Sequence, residues 1–296
     1  MSASHKPLDQ QVIVITGASS GIGLASARLA ADRGAKLMLI ARSPKTLNNL
    51  TAEIAAAGGE AIHFVADVAD GEKVQAAARE TINRFGRIDT WVNNAGVSIY
   101  GRLDEVSEAD ARRLFDTNFW GVVNGSIAAL PYLKRQGGAL INVGSEVSEA
   151  VVPLLGIYSA SKHAVKGFTD ALRVEIEELD GAPVSITLIQ PSAVNTPFPQ
   201  HARNYMDKEP KLPPPLIEPE EVAEAILKAA TTGGRDVTVG AMAVIDIAVS
   251  RLMPSLGDKL SARRGTNQQE NMPPLHPQGT LFEPSEAGYA RGHVSA

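Results

Sequence analysis

Short runs of continuous apolar residues recur along this chain, and each is followed by a stretch with helical spacing. The first, Gln11–Thr16, is β-branched and lacks polar alternation, so it reads as a strand buried on both faces. Ile22–Arg33 follows with apolar residues at Ile22, Ala25 and Leu29 and closes at Gly34, a helix terminator. Lys36–Ala41, Ala61–Val65, Asp89–Asn93, Ala139–Val143, Val184–Gln190 and Asp236–Val239 repeat the strand pattern. Helical stretches separate them at Pro44–Ala57, Glu72–Phe85, Glu108 to Leu133 (with a kink expected near Pro131), Gly156 to Leu179 and Glu220–Thr231. Strands with no polar face need cover on both sides. The alternation therefore predicts an α/β fold, a doubly wound parallel sheet flanked by helices on both faces in a single domain. Ligands of such sheets sit beyond the carboxyl ends of the strands.

Two segments depart from the alternation. Thr196–Pro219 holds seven prolines and is too long for an ordinary connection, which marks it as a lid or binding loop. After Gly240 comes a short apolar-periodic piece (Val244, Ile245, Ala248, Leu252, Leu256, Leu260) broken by Pro254. It reads as an amphipathic helix that covers the substrate cleft, packs in an oligomer, lies on a membrane surface or docks on its own domain. Beyond Gly265 the chain turns polar and reads as extended or disordered. The expected division is a catalytic domain at residues 1–240 and a C-terminal extension at 241–296.

Composition removes several classes of function. The formal charge of −5 offers no basic footprint for nucleic acid. The absence of cysteine excludes disulfides, thiolate metal sites and a cysteine nucleophile. His5, His63, His163, His201, His276 and His293 are scattered without ligand spacing, so no metal is expected. The polar start lacks the apolar run of a secretory signal, and no run reaches the ~20 apolar residues of a membrane span. A soluble cytoplasmic protein is expected.

The first strand runs into Thr16-Gly17-Ala18-Ser19-Ser20-Gly21-Ile22-Gly23 and then directly into a helix. Glycines let the backbone turn tightly against a pyrophosphate, and the free amides of the helix start favour its negative charge. In that setting Gly17, Ser19, Ser20, Gly21, Ile22 and Gly23 are candidates for binding a dinucleotide. The second strand ends Ile40-Ala41-Arg42-Ser43, with a cation where NAD-preferring sites carry a carboxylate. Arg42 therefore points to the 2′-phosphate of NADP(H), with NAD(H) as the lesser cofactor.

Tyr158 and Lys162 stand i and i+4 on a predicted helix, so they share one face. A phenol with pKa ~10 is a poor base at neutral pH. An ammonium ~4 Å away at effective dielectric ~20 would favour phenolate by up to about 4 kcal/mol. That is roughly three pKa units, enough to poise Tyr158 for proton exchange near neutrality.

Thr16–Gly23, Asn93-Asn94-Ala95-Gly96, Asn118, Ser145 and Tyr158-Ser159-Ala160-Ser161-Lys162 together resemble the signature set of the short-chain dehydrogenase/reductase family, in its single-domain NADP-preferring form. They stand in the family's order, 27 residues from Asn118 to Ser145 and 13 more to Tyr158, and the resemblance covers about residues 10–240. It implies a Rossmann-type sheet and hydride transfer between NAD(P)(H) and a carbonyl or secondary alcohol. By resemblance Tyr158 exchanges the proton and Lys162 also holds the nicotinamide ribose. Ser145 steadies the reacting oxygen, ahead of the nearby Ser148, and Asn118 retains a water that completes a proton relay. Asp67 and Val68 resemble the pair that meets adenine, Asn93 would lie near the adenosine ribose, and Val194 and Thr196 would meet the carboxamide. Ser192 stands where relatives carry glycine, and Glu146 where many carry a second serine.

Three stretches are expected to wall the substrate pocket: Val147–Leu155, Ser98–Arg102 and the proline-rich loop. The first two are mostly apolar, which favours a lipophilic or aromatic small molecule. The resemblance also implies a homodimer or homotetramer built on the helices of Asn118 and Tyr158. The competing reading is a catalytically idle regulatory protein that keeps the dinucleotide as a ligand.

Overall fold

The computed structural model describes residues 5–265 and 268–292. His293, the first residues of the polar N-terminal stretch and small parts of the extension lie outside them. The elements alternate from the start: β1 (Val12–Thr16), α1 (Gly21–Asp32), β2 (Lys36–Ala41), α2 (Pro44–Ala56), β3 (Ala61–Val65), α3 (Gly71–Phe85), β4 (Thr90–Asn93) and a short β5 (Ile99–Tyr100). Next come α4 (Glu108–Phe115), α5 (Gly121–Gln136), β6 (Gly138–Val143), α6 (Gly156–Arg173) and β7 (Val184–Pro191). The chain continues through α7 (Phe198–His201), β8 (Arg203–Asn204), α8 (Pro219–Thr232), β9 (Asp236–Val239), α9 (Ala241–Leu252) and α10 (Pro254–Gly265). Seven parallel strands form one sheet in the order β3-β2-β1-β4-β6-β7-β9, the doubly wound Rossmann-type arrangement.

Alternation of side chains along the strands sorts the core into two layers. Ile13, Ile15, Leu37 and Leu39 face α1, α2 and α8, where they meet Leu24, Leu47 and Ile226. Val14, Met38 and Ile40 face α3, α5 and α6, where they meet Val74, Ala129 and Leu172. The central strand β1 is buried along its whole length, as its unbroken apolar run requires.

Three features differ from the sequence reading. The long helix carries Pro131 inside α5. It is interrupted earlier, by a π-helical turn at Asp116–Trp120, where Asn118 is drawn inward to bond the backbone of Val97. The helix of Tyr158 ends likewise in a π turn, Val174–Leu179. β5 and β8 form a separate two-stranded parallel sheet from segments too short to carry a pattern.

Gly125 of α5 lies against the end of β4: a Cβ there would stand 2.0 Å from Asn93 Oδ1 and 2.7 Å from Trp91 Nε1. Gly125→Ala should therefore destabilise the fold by about 1–3 kcal/mol, as overpacking of a filled core does. The check is a lower urea midpoint with an unchanged slope; an unaltered midpoint would refute the packing argument.

Candidate active site

β1 delivers the chain to a turn that only glycine can make. Gly17 takes φ +69°, and a Cβ on it would lie 2.7 Å from Ala95 Cα. Thr16 Oγ1 accepts from the amides of Asn94 at 3.0 Å and Ala95 at 3.1 Å. Asn94 Nδ2 donates in the same direction, to the carbonyls of Thr16 at 3.0 Å and Gly17 at 3.3 Å. Gly23 closes the turn from within α1, since its Cβ would meet the Gly17 carbonyl oxygen at 2.2 Å. It shapes the turn without reaching the cleft.

The cleft opens at the carboxyl ends of the strands, with Gly17, Ser19, Ser20, Gly21 and Ile22 on its floor. Arg42, Asp67, Val68 and Thr196 complete this half, as the sequence predicts. Asn93 does not: strand alternation turns it away, towards α5. There it accepts from Trp91 Nε1 at 2.8 Å and donates to Asn142 Oδ1 at 2.9 Å and Ser126 Oγ at 3.2 Å. Its neighbour Asn94 lines the cleft instead. Burial works to raise the Asp67 carboxyl, but the Ala69 amide, Arg113 and Arg42 together hold it below the usual carboxylate range. Arg113 was not foreseen, because on the sequence it is one more charged residue of a helix surface.

The other half of the cleft collects Ser145, Tyr158, Lys162 and Val194, with Ile22 and Thr196 shared between the halves. Ser145 is extended, at φ −169°, and starts a short 3₁₀ turn over Glu146–Ser148. Its amide donates to Ser148 Oγ at 3.2 Å, so Ser148 is committed to the turn. Tyr158 sits in the first turn of α6, edge-on to Phe198 with ring centres 5.2 Å apart. Lys162 is buried and donates to the Val143 carbonyl at 2.8 Å. Asn118 lies behind this pair, fully buried. Its side chain accepts from Val97 N at 2.8 Å and donates to Val97 O at 3.0 Å and Ser161 Oγ at 3.1 Å.

The shifts of the pair run against the expectation that Lys162 draws the Tyr158 phenol towards neutrality. Lys162 Nζ lies 5.7 Å from the centre of the Tyr158 ring, turned to the Val143 carbonyl. Burial pushes the Tyr158 phenol above its ordinary range, opposed by a hydrogen bond with Ser145 and reinforced by the charge of Glu146. Burial also pushes the Lys162 ammonium down to about 8. Desolvation disfavours the charged form of both groups and is the largest cause of each shift. At neutral pH the site therefore presents a neutral phenol, a proton donor, next to a cation.

The walls are partly those expected. Val147, Val152 and Leu155 line the catalytic half, and the proline-rich loop contributes Phe198, Leu212 and Pro213. The stretch 98–102 does not, because pairing of β5 with β8 draws it aside. Ser98 faces the dinucleotide half, Tyr100 is fully buried, and Gly101 and Arg102 line a separate surface groove. Ser192 is accommodated by Gly240, where a Cβ would lie 2.3 Å from Ser192 Oγ.

A glycine-rich turn, a strand-end cation and a phenol–ammonium pair on one rim of a parallel sheet define a dinucleotide-dependent oxidoreductase acting on CH–OH or C=O groups. The comparisons agree. A family model described as short chain dehydrogenase matches residues 11–207. The uncharacterized oxidoreductase YxnA of Bacillus subtilis is 44% identical over 292 residues, 97% of this chain and 82% of that protein. The 11-beta-hydroxysteroid dehydrogenase A of Sesamum indicum is 35% identical, covering 77% of this chain and 68% of that one. Among solved structures, a short chain dehydrogenase/reductase from Burkholderia phymatum in complex with NAD superposes with a TM-score of 0.76, at 28% identity over 85% of this chain and 96% of that one. An alcohol dehydrogenase from Thermococcus sibiricus complexed with 5-hydroxy-NADP gives 0.68, at 31% identity over 77% and 94%. The chain belongs to the short-chain dehydrogenase/reductase family.

The shifts of the pair set a pH dependence. Below about 8 Lys162 carries its proton, and above it the ammonium is lost. Tyr158, raised, keeps its own proton across the same range. Carbonyl reduction should therefore hold at neutral pH and fall as pH rises through about 8. A pH profile of kcat/KM with a flat alkaline limb would show that the ammonium is not needed.

Proposed function

We propose that the chain is an NADP(H)-dependent oxidoreductase that exchanges hydride with a carbonyl or secondary alcohol on a lipophilic or aromatic small molecule. The observation that carries this reading is Tyr158 in an apolar half-cleft that shares Ile22, Asn94, Gly96, Thr196 and Phe198 with a second half-cleft fitted to phosphates. The residues present fit a dinucleotide. The buried hydroxyls of Ser98 and Thr117 line the first half with no hydrogen-bond partner, and Gly21 and Ile22 bring the N-terminus of α1 to it. Arg42 is the cation for a 2′-phosphate, with Arg113 behind it.

When bound, the reduced nicotinamide supplies the hydride. Tyr158 donates the proton to the substrate oxygen, which leaves as the alcohol oxygen. Ser145 hydrogen-bonds the same oxygen while charge develops on it. Lys162 keeps a positive charge beside the phenol as that proton departs, and Asn118 holds the Val97 backbone and Ser161 in register behind it. Val147, Val152, Leu155 and Phe198 exclude water from the reacting centre and favour an apolar substrate. The sesame relative, named as a hydroxysteroid dehydrogenase, supports that preference. Trp120, Ile127 and Val174, exposed along the helices of Asn118 and Tyr158, support a homodimer or homotetramer.

Tyr158→Phe should lower turnover of a ketone panel by about 10²–10⁴-fold while leaving NADPH binding near its parent value. An unchanged steady-state rate would remove Tyr158 from the mechanism. Arg42→Ala should lower the ratio of NADPH to NADH affinity about 10–100-fold, the loss of a charge-assisted pair. Fluorescence titration giving equal changes for both cofactors would defeat the NADP choice.

A further inference from the structure

The last described segment, residues 277–292, crosses the dinucleotide half of the cleft as an extended strap. It is seated first at the lid: Asn204 N donates to Pro277 O at 2.8 Å, and Thr280 N to His201 O at 2.7 Å. Leu281 is fully buried among Val97, Leu114, Ile157 and Tyr158. The strap then meets the groups a dinucleotide needs. Both terminal nitrogens of Arg42 donate to strap carbonyls, to Thr280 O, to Leu281 O at 3.2 Å and to Phe282 O at 3.1 Å. The amide of Gly21, first residue of α1, donates to Tyr289 O at 3.0 Å. Beyond it Arg291 pairs with Glu218 at 2.7 Å and Glu220 at 3.0 Å. With the strap seated, the cavity in this half is about 180 Å³, below the roughly 300–1,000 Å³ of small-molecule sites.

A backbone amide that points at a carbonyl oxygen 3.0 Å away cannot also face a phosphate, and a guanidinium edge filled by three carbonyls cannot also take a second ligand. We propose that residues 277–292 are an internal competitor for the dinucleotide, which enters by exchanging strap carbonyls for phosphate oxygens on Gly21 and Arg42. The exchange runs forward because bonds to an anionic oxygen are roughly twice as strong as bonds to a neutral carbonyl. Its cost appears as affinity, which falls in proportion to the fraction of chains with the strap released. The two contacts bear on the cofactors unequally. Any dinucleotide must displace Tyr289 from Gly21, whereas only a 2′-phosphate must displace Thr280–Phe282 from Arg42. The strap thus weighs more heavily on NADP(H) than on NAD(H), a part of the inference that rests on the 2′-phosphate reading of Arg42.

Two substitutions in the full chain unseat the strap without touching the reacting atoms. On Gly279, at φ +55°, a Cβ would stand 2.4 Å from the backbone carbonyl of Ala202; on Gly292 it would stand 2.8 Å from Thr196 O. Gly279→Ala and Gly292→Ala should each tighten NADPH about tenfold in fluorescence titrations, and NADH by less. Gly292 lies past every helix and strand, so its variant should fold as the parent does. On the unmodified chain, NADP+ should speed amide hydrogen exchange across 277–292. Unchanged or weaker binding of both cofactors in the two variants would overturn the proposal, as would NADP+ slowing that exchange, which a lid closing over cofactor would produce. Equal tightening of NADPH and NADH would uphold the competition at Gly21 and remove the 2′-phosphate reading of Arg42.

Discussion

Asn94 and Ala95 clamp the end of β4 to the end of β1 through four donated hydrogen bonds, two to Thr16 Oγ1 and one each to the carbonyls of Thr16 and Gly17. Because both strands are buried in the sheet, this clamp holds the glycine-rich turn at a fixed height above the core. Gly17 and Gly23 are glycines because the clamp leaves no room for a Cβ at either. The start of α1 is aimed over the strand ends as a result, and its amides become a place for negative charge. Loosening the clamp would move every phosphate-facing group at once. That is why the dinucleotide half of the cleft depends on it more than on any single side chain that faces the cleft.

On the catalytic half the governing term is desolvation. Tyr158 and Lys162 are each driven towards their uncharged forms by burial, and Lys162 donates to the Val143 carbonyl. The proposed role of Tyr158 as proton donor draws on that arrangement, a protonated phenol beside a cation at neutral pH. Asn118 lies behind the pair, where the π turn brings its amide inward to fasten Val97 and Ser161.

The C-terminal strap and the proline-rich loop both touch the two halves of the cleft. Leu281 packs into the same apolar cluster as Tyr158, while the carbonyls on either side of it hold Arg42. Phe198, in the lid helix whose end the strap grips, lies edge-on to Tyr158. A change at the adenosine end therefore has a short packed route to the catalytic ring, made of side chains in contact.

Local pattern was enough to determine which segments are strands and helices, since an unbroken apolar run or a 3.6-residue period reports directly which faces are buried. Lys36–Ala41, Ala61–Val65 and Asp236–Val239 match the observed strands residue for residue. Glycine spacing and the i, i+4 relation of Tyr158 and Lys162 likewise picked out residues that line the cleft, because both are set within a turn or so of chain. What the sequence could not determine was decided between segments far apart in it. The direction of Asn93, the drawing aside of 98–102 by β8, the 5.7 Å between ammonium and ring, and the seating of a polar tail on Arg42 are of this kind. Each depends on which distant backbone group competes for a donor or fills a space, and on how much water that competition removes. Those quantities exist only once the tertiary packing is made.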